Sequence, residues 1–243
     1  MIYPTGTTGK KPTRAWMVYT LVGINILVFI WEVLYFQIFG ETAFEQVMIN
    51  IAFNVCEVGS VPATELALDS VRSMFLHGGI AHIAGNMLFL VIFGRKIEEY
   101  FGRIPFLAFY MIAGFGATIG HVWFGGTLCT PADPYGLVIG ASGAVAGVMG
   151  AFLLLFPTLP IKTQVVVLPP FVGWQFKVPA MFYLVYFFLM DFVQGLGWYV
   201  DEGQSVAHWG HIGGFLAGFV IVFVATMLWK PAPKQDPFAY LDD

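Results

Sequence analysis

Six apolar runs, at about 16–39, 80–93, 104–124, 138–156, 178–196 and 208–229, follow one another through a chain of 243 residues, with few charges inside them. About 20 such residues wound as a helix match the roughly 30 Å hydrocarbon layer of a bilayer. Composition points the same way: 58% of the residues are hydrophobic and 11% charged, more apolar surface than a water-soluble domain of this size can bury. The chain therefore reads as an all-α polytopic membrane protein with six transmembrane helices. The run at 80–93 is short, which draws His77 or His82 into or near its outer end.

Around this six-span domain, residues 16–229, lie a polar N-terminal segment, 1–15, and a C-terminal tail, 230–243. The positive flank and length of the first run suit a signal anchor rather than a cleavable signal peptide. Glu32 inside it is a bundle-facing or interface-snorkelling carboxylate. Residues 40–79 are too long for a turn and too broken by acidic residues to span, so they form an interfacial or partly embedded outer loop. Six spans place both termini and the loops at 95–103 and 157–177 on one side. That side carries Lys10, Lys11, Arg14, Arg95, Lys96, Arg103, Lys162, Lys177, Lys230 and Lys234, leaving only Arg72 opposite. Such a bias orients both termini toward the cytoplasm of a cytoplasmic membrane of bacterial type. The net charge of −4 offers no basic patch for nucleic acid, and two cysteines make neither a disulfide scaffold nor a structural zinc site. Pairing of Cys56 with Cys129, both in outer loops, is open.

Chemistry concentrates in three stretches. In Gly140-Ala141-Ser142-Gly143-Ala144-Val145-Ala146-Gly147-Val148-Met149-Gly150, glycines recur at helical spacing and form a stripe where a second backbone can approach closely. Ser142 is the one reactive side chain there, and both helix packing and a nucleophile are open for it. It lies 14 residues before Phe156, about 21 Å along a helix, which puts it roughly 10 Å below the outer surface. In His208-Trp209-Gly210-His211-Ile212-Gly213-Gly214, His211 shares a face with Gly214 and Gly218, a second glycine stripe able to meet the first. A histidine inside a span is costly and usually functional. His82 and Asn86 stand at i and i+4 on one helical face, and both donate hydrogen bonds, as a developing oxyanion requires. His121 has no such company and reads as a surface histidine.

Together these segments resemble the rhomboid family of intramembrane serine proteases, on Gly140-Ala141-Ser142-Gly143, His82-x-x-x-Asn86 and Gly210-His211-Ile212-Gly213-Gly214-x-x-x-Gly218, in this order on a six-span layout. The resemblance covers nearly all of 16–229. It implies a rhomboid-like six-transmembrane-helix bundle with Ser142 as nucleophile, His211 as general base, His82, Asn86 and the Ser142 amide as the oxyanion site, and His77 as a structural histidine. It implies no cofactor or metal. Two positions depart from the pattern: Leu68-Asp69 replaces a Trp-Arg pair, and Ala146 stands where some members have an aromatic residue. Asp191 in the fifth span reads first as a structural or interface residue and second as a possible orienter of the histidine, and the family works with a dyad.

The implied reaction is endoproteolysis through an acyl-enzyme. Its substrates are transmembrane segments that unwind near the outer face, because a helix hides its carbonyls in its own hydrogen bonds. Entry is lateral, past a fifth span whose Phe182, Tyr183, Tyr186, Phe187 and Phe188 form the closing surface or a lipid-facing belt. An inactive rhomboid-like protein that binds membrane clients is the principal alternative; intact Ser142 and His211 argue against it. A metal or haem protein lacks a paired-histidine motif, and a transporter lacks polar sites at the midplane. The partners are thus transmembrane substrates and the lipid bilayer, with no nucleic acid and the oligomeric state open.

Overall fold

The computed structural model describes residues 2–8, 15–125, 136–168, 172–197 and 207–228. Lys10, Lys11, Arg14, Cys129, Lys230 and Lys234, used above for orientation and pairing, lie outside the described residues. Helices dominate. Four are long and apolar enough to cross a membrane: α1 (Trp16–Phe39), a rod over Ile80–Phe101, α6 (Arg103–Phe124) and α9 (His208–Leu228). Two shorter apolar helices, α7 (Ser142–Leu155) and α8 (Ala180–Gly195), occupy the fourth and fifth expected spans. With 14 residues, α7 is about 21 Å long, too short to cross the layer, so its first residue starts below one surface.

The rod at 80–101 is α4 (Ile80–Phe89), a π-helical turn (Leu90–Gly94) and α5 (Arg95–Phe101) in continuous succession. The span thus runs through Arg95 and Lys96, where the charges suggested its end. These polar groups are tolerated because the protein supplies partners. The Glu98 carboxylate, almost fully buried, accepts the amides of Met17 (2.9 Å) and Val18 (2.8 Å) and so caps the N-terminus of α1. The Lys96 ammonium sits 5.8 Å over the Phe156 ring. Gly94 brings this rod against α1 and α6, since a side chain there would press on Val18 and Phe106.

The outer loop is mostly helical, with α2 (Glu41–Ile51) and α3 (Ala63–Ser73). A short antiparallel pair, β2 (Phe53–Asn54) with β3 (Leu137–Val138), ties the loop to the residues just before Ser142. Glu32 faces the bundle: its carboxylate accepts the His77 amide (3.0 Å) and so pins the loop's end to α1. Cys56 is disulfide-bonded.

At the opposite end, β1 (Ile2–Thr7), β4 (Pro160–Leu168) and β5 (Val172–Pro179) form an antiparallel sheet in the order β1-β4-β5. These strands fall where the sequence predicts a polar N-terminal segment and a loop at 157–177. The sheet covers the end of the bundle where α1 and α8 begin and α7 finishes. The core between the helices is lined by Leu21, Leu90, Phe93, Phe106, Tyr110, Met149, Phe152 and Leu184, while α1 leaves Leu27 and Ile38 about 70% exposed, as expected of a surface in lipid.

Candidate functional site

The two glycine stripes meet. A side chain at Gly147 would lie 3.0 Å from the Gly214 carbonyl oxygen, one at Gly214 would clash with the Gly143 carbonyl, and one at Gly218 with that of Gly147. Packing of α7 on α9 is therefore backbone to backbone, possible only without side chains at these positions. This closeness brings Ser142, the first residue of α7, and His211, in the first turn of α9, to the wall of one cavity of about 30 Å³. Both residues are half-buried. The cavity is also lined by Ser70, Ser73, Thr118 and Gly140, and has room for a water molecule with polar partners. Ser70 and Thr118 share a hydroxyl hydrogen bond of 2.6 Å. These three hydroxyls had no distinguishing signal in the sequence, because isolated Ser and Thr are ordinary in membrane helices.

The approach to Ser142 is set by Gly140, whose φ of +119° is one that residues with side chains rarely adopt. Its amide donates to the Ser73 carbonyl (2.8 Å), which fixes the strand-to-helix turn against the outer loop. The space a Cβ would need there lies 2.7 Å from His82 Nε2 and 3.5 Å from Ser142 Oγ. His82 and the Ser142 hydroxyl therefore converge at Gly140. Because α7 starts at Ser142, the first amides of that helix have no partner within it and present donors beside the hydroxyl.

One turn beyond His82, Asn86 is buried at 7% exposure, and its Nδ2 has no hydrogen-bond partner among the described residues. An amide donor buried without an acceptor costs about 1–3 kcal/mol, which an arriving acceptor would relieve. His77 stacks edge-on against His82, ring centres 5.2 Å apart, with Nδ1 3.2 Å from the Phe75 carbonyl. Burial, reinforced by the neighbouring His82, holds the His77 imidazole down at about 4.

His121 departs from expectation. It is buried, not on the surface, because Gly120 and Gly213 allow α6 and α9 to touch through their backbones, which encloses the neighbouring imidazole. Asp69 pairs with Arg72 at 2.8 Å, and Ala146 is buried in the core. Asp191, named above as a possible orienter of the histidine, lies on α8 with its carboxylate against both His208 and His211, residues 17 and 20 positions away.

The fold and site define a helical integral membrane protein whose reactive side chains gather in a small cavity at one end of the bundle. The chain belongs to the rhomboid family: the family model for the rhomboid domain matches residues 67–228, well over half of its length. Among similar proteins, RHOMBOID-like protein 6, mitochondrial, of Arabidopsis thaliana is 31% identical over 157 residues, 65% of this chain and 43% of that protein. Rhomboid-like protease 3 of Toxoplasma gondii is 27% identical over 164 residues, 68% of this chain and 54% of the relative. Rhomboid protease AarA of Providencia stuartii is 28% identical over 156 residues, 61% and 52%. The chain thus spans about half the length of these relatives, two of which are named as proteases.

Proposed function

We propose that this chain is an intramembrane serine endopeptidase that cleaves transmembrane segments of membrane proteins near the outer membrane face, with both of its termini cytoplasmic. The observation that carries this reading is the meeting of Ser142 and His211 at one small cavity, with His82 packed against Gly140 of its wall and the Asn86 amide, without a partner among the described residues, one turn beyond His82.

In this reading the Ser142 hydroxyl oxygen attacks a peptide carbonyl carbon while its proton passes to His211. The carbonyl oxygen becomes negative, and donors from His82, Asn86 and the Ser142 amide stabilise it; such a site is worth most where water is excluded. Collapse of the intermediate expels the amine, which takes the proton from His211, and leaves an acyl-serine. A water held near the Ser70, Ser73 and Thr118 hydroxyls then loses a proton to His211 and attacks the ester; collapse releases the acid, and the departing Ser142 oxygen takes that proton back from His211. A segment that stays helpical is a poor substrate, because its carbonyls remain bonded within the helix; one with glycine or proline unwinds more readily.

The test is labelling of the full chain in phospholipid vesicles by a fluorophosphonate probe, together with cleavage of a reporter transmembrane segment. Labelling and cleavage that both vanish in Ser142→Ala support the reading. A folded chain that captures the reporter without cutting it, and reacts with no probe, would be a client-binding protein.

A further inference from the structure

Asp191 holds one carboxylate against two imidazoles. Its Oδ1 lies 2.8 Å from His208 Nδ1 and 3.2 Å from His211 Nδ1, and its Oδ2 lies 3.3 Å from His211 Nδ1. The carboxylate side chain is 10% exposed, so these contacts form away from bulk water, where a hydrogen bond to an ionised group is strong. One ligand atom from each residue falls within 4.8 Å of the others, a grouping that invites a metal ion. The distances favour hydrogen bonding. A tetrahedral zinc with bonds of about 2.0–2.1 Å keeps its donor atoms about 3.3 Å apart, whereas Asp191 Oδ1 and His208 Nδ1 are separated by 2.8 Å, the length of a charge-assisted hydrogen bond.

A carboxylate only accepts hydrogen bonds, so a ring nitrogen bonded to it carries the proton. For His211 this places the proton on Nδ1 and leaves Nε2 with the free electron pair. A second contact keeps the two helices in register: Trp209 Nε1 donates to the Gly195 carbonyl at 2.9 Å, joining the first turn of α9 to the last of α8. His208 is a second donor to the same Oδ1 and helps to fix the carboxylate.

We propose that Asp191 is a positioning residue for His211, making Ser142, His211 and Asp191 a working triad. The proposal rests on the reading of Ser142 and His211 given above. Asp191 touches neither substrate nor serine. When Ser142 Oγ bonds to the carbonyl carbon, its proton goes to His211 Nε2, the Nδ1 proton stays on the ring, and the nearby negative charge stabilises the imidazolium that results. Asp191 also prevents the ring from turning or adopting the tautomer in which Nε2 is already occupied.

Two measurements test this on the full chain in phospholipid vesicles. In kinetics on a reporter transmembrane segment, Asp191→Asn should lower kcat by about 10²–10⁴ with KM within about twofold, as expected when the wrong tautomer is populated. Asp191→Glu should recover at least about tenfold of that loss, and His208→Ala should lose less than about tenfold, since His211 keeps its acceptor. An Asp191→Asn variant that keeps more than about a third of the original kcat overturns the proposal. The second measurement is histidine ¹⁵N NMR, which needs no activity and whose first reading is made on the unaltered chain. His211 should carry its proton on Nδ1, and Asp191→Asn should redistribute it; an unaltered chain with the proton on Nε2 overturns the proposal even if the variants do not fold. If the tautomer follows Asp191 while no Ser142-dependent cleavage occurs, the positioning role stands and the protease reading fails.

Discussion

Gly140 and His82 are packed so closely that a methyl group on Gly140 would lie 2.7 Å from both Cε1 and Nε2 of the imidazole. Gly140 also has a φ of +119°, so an alanine there suffers backbone strain as well as a clash. The structure can relieve both only by moving the turn before Ser142 or the His82 ring, two of the groups assigned to the reaction. Gly140→Ala is expected to lower cleavage by at least about 10² while the helical core, which makes no contact through this position, keeps its far-ultraviolet circular dichroism. A variant that remains folded and cleaves at the original rate would show that the site tolerates displacement of His82.

Asn86 tests the oxyanion assignment separately from binding. Its buried Nδ2 has no partner among the described residues, so its contribution should appear once charge develops on the carbonyl oxygen. Asn86→Ala should reduce turnover by about 10²–10³ and leave capture of the reporter segment nearly intact. The matched measurements are single-turnover cleavage and pull-down of the reporter by Ser142→Ala with and without the second change. Weakened capture with unaltered turnover would make Asn86 a docking contact.

Much of this arrangement was legible because it depends on local spacing. Glycines at 143, 147 and 150 and at 214 and 218 recur with helical period, and the structure packs α7 and α9 together through them, whereas Gly140 falls in the turn before α7, against His82. His82 and Asn86 share a face for the same reason. The sheet was not legible in this way: β1 pairs with β4 across more than 150 residues, and Pro4 and Gly6 disguise the first strand. Residues 160–179 did carry a cue in Thr163, Val165, Val167, Val172, Trp174 and Phe176, which are good strand formers, but in a chain this apolar such residues hardly stand out. The burial of His121 and the contact of Asp191 with His208 were hidden for a different reason. Their surroundings come from other helices, and periodicity reports which face a residue occupies but not what lies opposite.

The pH dependence of stability should carry a contribution from His77. Its folded-state value of about 4 lies below the ordinary 6.5 of the unfolded chain. Between these values the unfolded chain binds the extra proton and the folded one does not, so stability rises with pH across the window and is lost on acidification. The steepest effect is about 1.4 kcal/mol per pH unit. Thermal unfolding in detergent at pH 7.5, 6 and 5 should show the midpoint falling on acidification, and His77→Gln should flatten that fall. Equal slopes for the two proteins would remove His77 as the cause.

Substrate entry is expected beside α8. This helix packs on α7 and α9, and aromatic rings bridge it to the rod at 80–101: Phe187 against Phe89 of α4 with centroids 5.8 Å apart, and Tyr183 against Phe93 of the π-helical turn at 6.5 Å. Phe187 and Phe188 were expected to close the entrance together, but the structure gives them different neighbours. Phe188 packs on Phe215 of α9, 5.0 Å between centroids, and so holds α8 to the bundle. Phe182 and Tyr186, 63% and 65% exposed, face outward as a lipid-contacting belt would. Truncating Phe187 removes an aromatic pair worth about 0.5–1.5 kcal/mol beyond its buried area. If that pair limits opening, entry should accelerate by about 2- to 10-fold for the same free energy. Phe187→Ala should therefore raise the cleavage rate of a transmembrane reporter while leaving the rate of fluorophosphonate labelling, which needs no lateral opening, near its original value. Phe188→Ala should instead lower the unfolding midpoint without raising turnover. Equal effects of the two substitutions, or a rise in labelling that matches the rise in cleavage, would mean that the edge between α4 and α8 does not control access.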